Sequence, residues 1–526
     1  MTMKNLPIGI QNLPEIINEN YVYIDKTALV HQLITQGKMY FLSRPRRFGK
    51  SLTLSTIKEI FLGNRELFKG LAIDALPYDW KKYPVIHLSF VSIQGATPEE
   101  LTRVMQDELL TIARTYQVEL TKDAAVGVMF KNLIIALSKI DRVVILIDEY
   151  DAPILRYLPD IVIADQMRDV LRDFYIILKD LDPHLKFVFF TGVSKFSKVS
   201  IFSSLNQLSD ITTDESSAAL CGYTQEELEK AFADRMDAFA SKCNITKLEL
   251  LAELKKWYNG FRFSSADIKV YNPFSILNAF SKKYFNNYWF ASGTPAFFVR
   301  LIKNNPDIVN QCMMLENQKI SSYGFEKFNI ENYYTDLTNL LYQTGYLTII
   351  DCQLGSNVYQ LGYPNFEVRS SMAVEVFNLT AKVNDAVVTD FSERFRAAIK
   401  NDNIELFCSI MKDFFQVFPH VLVVDREKFY QGVFFTVCKL ANAQVDVEHA
   451  TSRGFIDAVI ETDKAVYVIE FKRNKSPEVA LQQIKEKDYC TKFKIEKTKS
   501  IVLVGMSFEF SEPGGVEVDY LIEKNN

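Results

Sequence analysis

Three groups of residues combine types and spacings that can do chemistry. The first is Arg44-Pro45-Arg46-Arg47-Phe48-Gly49-Lys50-Ser51. Gly-Lys-Ser at a strand-to-helix turn offers backbone N–H groups to phosphate, a Lys to the β- and γ-phosphates and a hydroxyl to Mg²⁺. Arg46, Arg47, Phe48, Gly49, Lys50, Ser51 and Leu52 are the candidate nucleotide contacts, and Ser51 is also a candidate metal ligand. The complete pattern has Gly six positions before the Lys, where this chain has Arg44. From Gly37 to Lys58 there are six Lys or Arg and no acid, which suits a polyanionic ligand. The competing reading is a chance Gly-Lys-Ser on a basic loop.

The second group is Asp148-Glu149, which closes the apolar run Val143-Val144-Ile145-Leu146-Ile147 in the form of a Walker B element. Asp148 is expected to hold the Mg²⁺ shell and Glu149 to polarise the attacking water. Thr191 or Ser194, after a later apolar run, is the candidate γ-phosphate sensor, and Lys195 and Lys198 are either phosphate contacts or solvated loop lysines. The third group is Asp457, Glu470 and Lys472. A hairpin turning on residues 461–464 sets Asp457 opposite Val468, with Glu470 its diagonal neighbour and Lys472 on the same face. Two carboxylates bind a hard divalent metal, and the Lys orients water or meets developing negative charge. Glu448 is a candidate third carboxylate, and Gln483 and Tyr489 are candidates to face the site.

These residues need elements to hold them. Met39 to Leu42 reads as a strand before the phosphate loop, and Leu52 to Phe61 as the helix after it, with Leu54, Ile57 and Phe61 on a buried face. Further strands are expected at Val85–Phe90, Val143–Ile147 and Lys186–Thr191, with helices at Pro98–Tyr116, Ala124–Ile140 and Ile161–Leu181. Strand–helix alternation predicts a parallel sheet wrapped by helices. Tyr21 to Thr27 reads as a short strand, with Thr27 or Asp25 capping a helix through Ile34, and serves either as an adenine-side wall or as packing. After Cys221 the pattern turns helical, and Thr224 with Glu227 starts a helix as a capping box. Tyr334–Thr344, followed by strands at Tyr346–Ile350 and Asn357–Leu361, has the outline of a winged helix, read either as a DNA contact or as a structural lid. The last hundred residues restart as a separate unit, with a helix at Glu427–Leu440 and strands at Phe455–Ile460 and Ala465–Lys472.

A chain of 526 residues exceeds a single core. The expected fold is α/β: a P-loop parallel-sheet domain over 1–215, a helical lid over 216–330, a winged-helix-like segment over 331–371, connecting helices over 372–418 and a restriction-endonuclease-like α/β domain over 419–526. A net charge of −5 excludes a broadly basic nucleic-acid binder, though not a local basic channel. No run reaches the 18 or so apolar residues of a membrane span. The opening residues lack an apolar signal core and the seven Cys are scattered, so free thiols and a cytoplasmic location without membrane are expected.

Taken in order, the chain resembles prokaryotic AAA-ATPase-like proteins with a C-terminal PD-(D/E)xK nuclease domain. The resemblance rests on Tyr23-Ile24-Asp25-Lys26-Thr27, the segment Phe41 to Ser51, Leu146 to Asp151, Thr191 to Ser197, Tyr271-Asn272-Pro273-Phe274, Gly454 to Asp457, Ile469 to Lys472 and Gln483-Ile484. Arg44 in place of the first loop Gly is usual in that family. Arg commonly follows the Gly of the nuclease motif, where this chain has Phe455, a change that spares the metal ligands. The resemblance implies ATP binding and a nuclease-like fold. The intact Asp148-Glu149 pair and the Asp457, Glu470 and Lys472 set favour an AAA-type ATPase, with ATP and Mg²⁺ as cofactors and Mn²⁺ an alternative at the nuclease-like site, acting with a metal-dependent nuclease on nucleic acid, DNA being the expected partner. The alternative is an ATP-dependent regulatory protein whose nuclease-like domain only binds. AAA-type ATPases often complete their site with a neighbour's Arg, so a nucleotide-dependent homo-oligomer is also expected, with Arg46 and Arg47 beside the nucleotide.

Overall fold

The computed structural model describes residues 3–122, 124–158, 160–195, 201–202, 205–293, 318–321, 337–352, 358–372, 385–417, 434, 437–438, 444–451, 454–487, 493, 499–511 and 515–525. Lys198, Tyr489 and most of the expected 427–440 helix lie outside them, as do the side chains of Glu448 and Phe455. The chain divides into two compact units, one drawn from Met1–Phe298 and Asn317–Val368, the other containing Arg369–Asn526. Among the described residues no helix is long and apolar enough to cross a membrane.

The first unit is built on a five-stranded sheet of β1 (Met39–Ser43), β2 (Val85–Ser89), β3 (Val143–Asp148), β4 (Leu185–Gly192) and β5 (Ser209–Asp210), in the order β2-β3-β4-β1-β5. Every pairing is parallel, so all five carboxyl ends open on one edge, where an α/β sheet binds ligand. All six residues of β3 are buried, as a strand covered on both faces requires. The helices Pro98–Thr115, Val126–Leu137 and Ile161–Tyr175 fall within the expected spans, although the last gives way at Ile176 to a short 3₁₀ turn.

Tyr21–Thr27 is not a strand. Only Tyr21 forms a bridge, to Asn5. The Asp25 carboxylate instead accepts from the Thr27 amide (2.8 Å) and hydroxyl (2.6 Å) and from the Ala72 amide (2.6 Å), which turns the chain into the helix Thr27–Gln36. Lys26 pairs at 2.6 Å with Glu227, whose own carboxylate closes the Thr224 capping box.

The helical region that follows carries a two-residue ribbon of β6 (Phe261–Arg262) and β7 (Lys269–Val270), then a three-stranded antiparallel sheet of β8 (Gln318–Ser321), β9 (Thr348–Cys352) and β10 (Val358–Gly362), ordered β8-β10-β9. The helix Leu337–Thr344 enters this sheet through Gly345, whose φ of +90° puts its α-carbon against Pro45 of the phosphate loop; a Cβ there would lie 2.6 Å from the Pro45 ring. Trp289 also props the loop, its indole N–H donating to the Arg46 carbonyl at 3.0 Å.

Trp289 is placed in turn by Glu367. This carboxylate is 1% exposed and accepts from the Trp289 amide (2.6 Å) and the Ser275 hydroxyl (2.7 Å).

The second unit holds a five-stranded sheet of β11 (Gln444–Thr451), β12 (Gly454–Glu461), β13 (Ala465–Arg473), β14 (Ser500–Ser511) and β15 (Gly515–Asn525) in sequential order. The β13–β14 pair is parallel and joined by the helix Pro477–Glu486; the other pairs are antiparallel. Gly505 of β14 faces that helix so closely that a Cβ would strike the Pro477 carbonyl, so glycine lets the helix settle onto the sheet.

Burial pushes the Glu367 carboxyl up to about 8 from 4.5. The folded chain therefore keeps a proton there that the unfolded chain releases, and stability falls as pH rises from about 4.5 to about 8. Glu367→Gln, which cannot ionise, should gain on the wild type steadily across that window, by an amount on the order of a few kcal/mol. Denaturant unfolding of both proteins from pH 5 to 9 checks this; parallel curves would show that Glu367 does not titrate in the fold.

Candidate functional site

The phosphate loop leaves β1 at Ser43 and enters the helix Lys50–Phe61, two residues earlier than the apolar pattern alone placed its start. Two residues take left-handed backbone to make the turn, Gly49 with φ +96° and Arg47 with φ +66°. Lys50 is buried, and its ammonium donates to the Arg44 carbonyl (3.0 Å) and the Pro45 carbonyl (3.1 Å), closing the loop on itself.

Arg44 stands where the usual pattern has glycine, and its side chain explains the exchange. It is 1% exposed and turned into the protein. Its guanidinium donates to the carbonyls of Ser43 (2.8 Å), Thr212 (2.7 Å) and Ser217 (3.0 Å) and lies 4.3 Å over the Phe263 ring. Phe48 is also turned inward, edge-on to Phe261 and Phe263 at 4.7 and 5.5 Å, so it is a packing anchor and its ring is withdrawn from the candidate nucleotide contacts. Arg46 and Arg47 are exposed, and Arg47 rests 4.8 Å over Phe274. Leu52 is half-buried in the first helical turn.

Three of the expected residues meet in one line. The Ser51 hydroxyl donates to Asp148 Oδ2 at 2.6 Å, and the Thr191 hydroxyl donates to Asp148 Oδ1 at 2.7 Å. A hydroxyl and a carboxylate at a loop-to-helix junction fit the magnesium of a bound nucleotide, which Ser51 and Asp148 would hold. Thr191 thus touches the metal-ligand candidate itself. Glu149 follows with φ +50°, a left-handed turn uncommon for such a residue and characteristic of functional sites. Ser194 is wholly buried and gives its amide to Asp151. Lys195 is not a solvated loop lysine: it is mostly buried and paired at 2.6 Å with Asp210. Asp151 is fully buried with its carboxylate bound by backbone amides; burial pushes it up to about 7, the nearby Glu149 charge adds to this, and the Ser194 amide and Lys50 oppose it.

In the second unit the hairpin register differs from expectation by two residues. The turn runs over Thr462–Ala465, closed by the Thr462 amide on the Ala465 carbonyl, and Val459 pairs with Val468. The ladder ends at Ala458 opposite Ile469, so its next step brings Asp457 level with Glu470 rather than diagonal to it. A shift of two keeps every side chain on its face, which is why the two acids still converge. Asp457 Oδ2 accepts from the Phe471 amide at 2.7 Å. Glu470 is 2% exposed; its Oε1 accepts from Lys472 Nζ at 3.0 Å and from the side-chain amide of Gln483, while its Oε2 is buried with no hydrogen-bond partner. Burial and then the Asp457 charge push Glu470 up to about 7, against the pull of Lys472. A buried carboxylate oxygen without a donor beside a second acid fits a divalent cation, which Asp457 and Glu470 would hold. Glu448 lies on β11 between Val447, paired with Ala458, and His449, paired with Ile456, which is the position across from Asp457.

Arg44 and Gln483 differ in how far the sequence announced them. Gln483 was a candidate from its helix; the inward course of Arg44 has no periodic signal. Arg44→Gly would restore the familiar loop pattern yet strand the Thr212 and Ser217 carbonyls. We expect it to cost at least about 2 kcal/mol of stability, read as a lower midpoint in denaturant unfolding. An unchanged midpoint would mean that the guanidinium does not anchor the loop.

Residues 7–202 match the family described as predicted AAA-ATPase, and residues 425–512 match the PD-(D/E)XK nuclease superfamily. The chain is 36% identical to a protein of Azotobacter chroococcum mcd 1 described as an uncharacterized protein in the vnfD 5′ region, over 99% of both chains.

Proposed function

The chain belongs to the family of predicted AAA-ATPases that end in a PD-(D/E)XK nuclease superfamily domain, and we propose that it binds and hydrolyses ATP with Mg²⁺ in its first unit and couples this to metal-dependent cleavage of nucleic acid, DNA before RNA, by its second. The observation that carries the ATPase reading is the line Ser51–Asp148–Thr191 with Glu149 beside it. Lys50 would exchange its two loop carbonyls for phosphate oxygens. Ser51 and Asp148 would hold the cation, which when bound neutralises charge on the phosphates. Glu149, half-buried at the open edge of the sheet, would orient the attacking water and accept its proton. Exposed Arg46 and Arg47 are placed to meet phosphate in their own subunit or across a nucleotide-dependent homo-oligomer. The helix Leu337–Thr344 and the three-stranded sheet of β8, β9 and β10 support a winged-helix-like reading of the middle region.

The ATPase reading predicts a separation of binding from turnover. Lys50→Ala should abolish ATP binding in calorimetry. Glu149→Gln should bind normally and hydrolyse at least about tenfold more slowly. Wild-type hydrolysis by Glu149→Gln would remove Glu149 from the role of base.

At the second site the metal, when bound, supplies a Lewis acid and a water of lowered pKa. Asp457 and Glu470 would hold it; Lys472, already on Glu470, would turn toward the charge that develops on the phosphate. Asp457→Ala and Glu470→Ala should lose Mn²⁺ binding and DNA cutting together, whereas Lys472→Ala should keep Mn²⁺ and lose cutting. Titration calorimetry and a linear-DNA cleavage assay test both halves. If the wild type cuts no nucleic acid with Mg²⁺ or Mn²⁺, with or without ATP, the second unit is a binding module.

A further inference from the structure

The loop that follows β4 is held from two sides. From the β3 side, the Tyr150 amide donates to the Thr191 carbonyl (3.0 Å) and the Tyr150 hydroxyl to the Ser194 carbonyl (2.9 Å). The Asp151 carboxylate accepts from the amides of Val193 (3.1 Å) and Ser194 (2.6 Å). From the opposite side comes Gln343, on the helix Leu337–Thr344 and 148 residues away in sequence from the residue it holds. Both ends of its amide engage the backbone of one residue: the Lys195 N–H donates to Oε1 (2.8 Å), and Nε2 donates to the Lys195 carbonyl (3.3 Å). Nε2 also donates to Asn339 Oδ1 at 2.9 Å. Asp151 is 0% and Gln343 6% exposed, so water competes for neither set of bonds. The fit is close enough that a Cβ on Gly192 would lie 2.5 Å from the Tyr150 ring and 2.8 Å from Asp151 Oδ1.

The two grips enclose the residue that orients the metal-ligand candidate. Thr191 stands at the head of this loop and donates to Asp148, and the left-handed turn at Glu149 is what brings Tyr150 and Asp151 onto the loop. We infer that Asp151 and Gln343 are positioning residues for ATP hydrolysis, holding loop 191–195 so that Thr191 keeps Asp148, and the turn keeps Glu149, in the working orientation. Neither touches the reacting atoms. The inference rests on the ATPase reading above and adds to it that the helix 337–344, far outside the sheet in sequence, is part of the hydrolytic unit.

The test is steady-state ATP hydrolysis by the full chain with Mg²⁺, beside calorimetric affinity for a non-hydrolysable ATP analogue and the thermal midpoint. Gln343→Glu keeps the acceptor for the Lys195 N–H and removes both donated bonds. Asp151→Asn keeps the shape and halves the acceptors. Each should lower kcat by about 10–100-fold, the usual cost of removing a group that supports a ligand, with analogue affinity changed less than about threefold. Because the effect runs through Thr191, adding Gln343→Glu to Thr191→Val should lower kcat little further. If Asp151→Asn does not fold, Gln343→Glu and the double variant decide. Wild-type kcat in folded Gln343→Glu, or a parallel loss of affinity and kcat, or full additivity with Thr191→Val, each overturns the inference while leaving the ATPase reading standing. A wild type that binds the analogue and never hydrolyses ATP overturns both.

Discussion

Asp148 is the point at which the first unit is tied together. One of its oxygens is taken by Ser51 at the start of the phosphate-loop helix, the other by Thr191 at the end of β4. Three separate chain segments therefore share one carboxylate. This is possible only because the sheet is wholly parallel and inserts β4 between β1 and β3, so that their carboxyl ends open side by side. The buried apolar run of β3 serves the same end. It carries an acid to the rim of the core, where desolvation makes hydrogen-bond partners obligatory.

Two buried acids, one in each unit, show how differently such partners can be arranged. Asp151 and Glu470 are both pushed up to about 7, and burial is the leading cause for each. The carboxylate of Asp151 is met by the amides of Val193 and Ser194, which makes it a fastening. Glu470 has one oxygen bound by Lys472 and Gln483 and the other without a donor, beside a second acid. The same displacement accompanies a finished contact in one case and an oxygen left without a donor in the other; what separates the two acids is whether each oxygen is met.

Periodic features were legible in the sequence. The strand–helix alternation, the buried β3, the acids at its end and the shared face of Asp457, Glu470 and Lys472 all follow from side-chain period and local chemistry. The hairpin register slipped by two residues because turn length at Thr462–Ala465 is set by a local hydrogen bond, and the period of two concealed the slip. At Tyr21–Thr27 the helix start marked by Asp25 and Thr27 was legible, but the strand before it was not formed, because the Asp25 carboxylate bends the chain onto the Thr27 and Ala72 amides. The partners of Arg44, Lys195 and Gln343 were not legible at all. Each is a contact between segments distant in sequence, with no period to reveal it.

The inward course of Arg44 also separates two kinds of positive charge in the loop. Its guanidinium is shut away from solvent ions, against carbonyls and an aromatic ring, so added salt leaves it nearly untouched. Arg46 and Arg47, out in the water a few ångströms along the chain, are screened over about 8–10 Å at ordinary ionic strength. The shape of the loop is thus independent of the ionic medium, while its pull on an approaching anion weakens as salt is added.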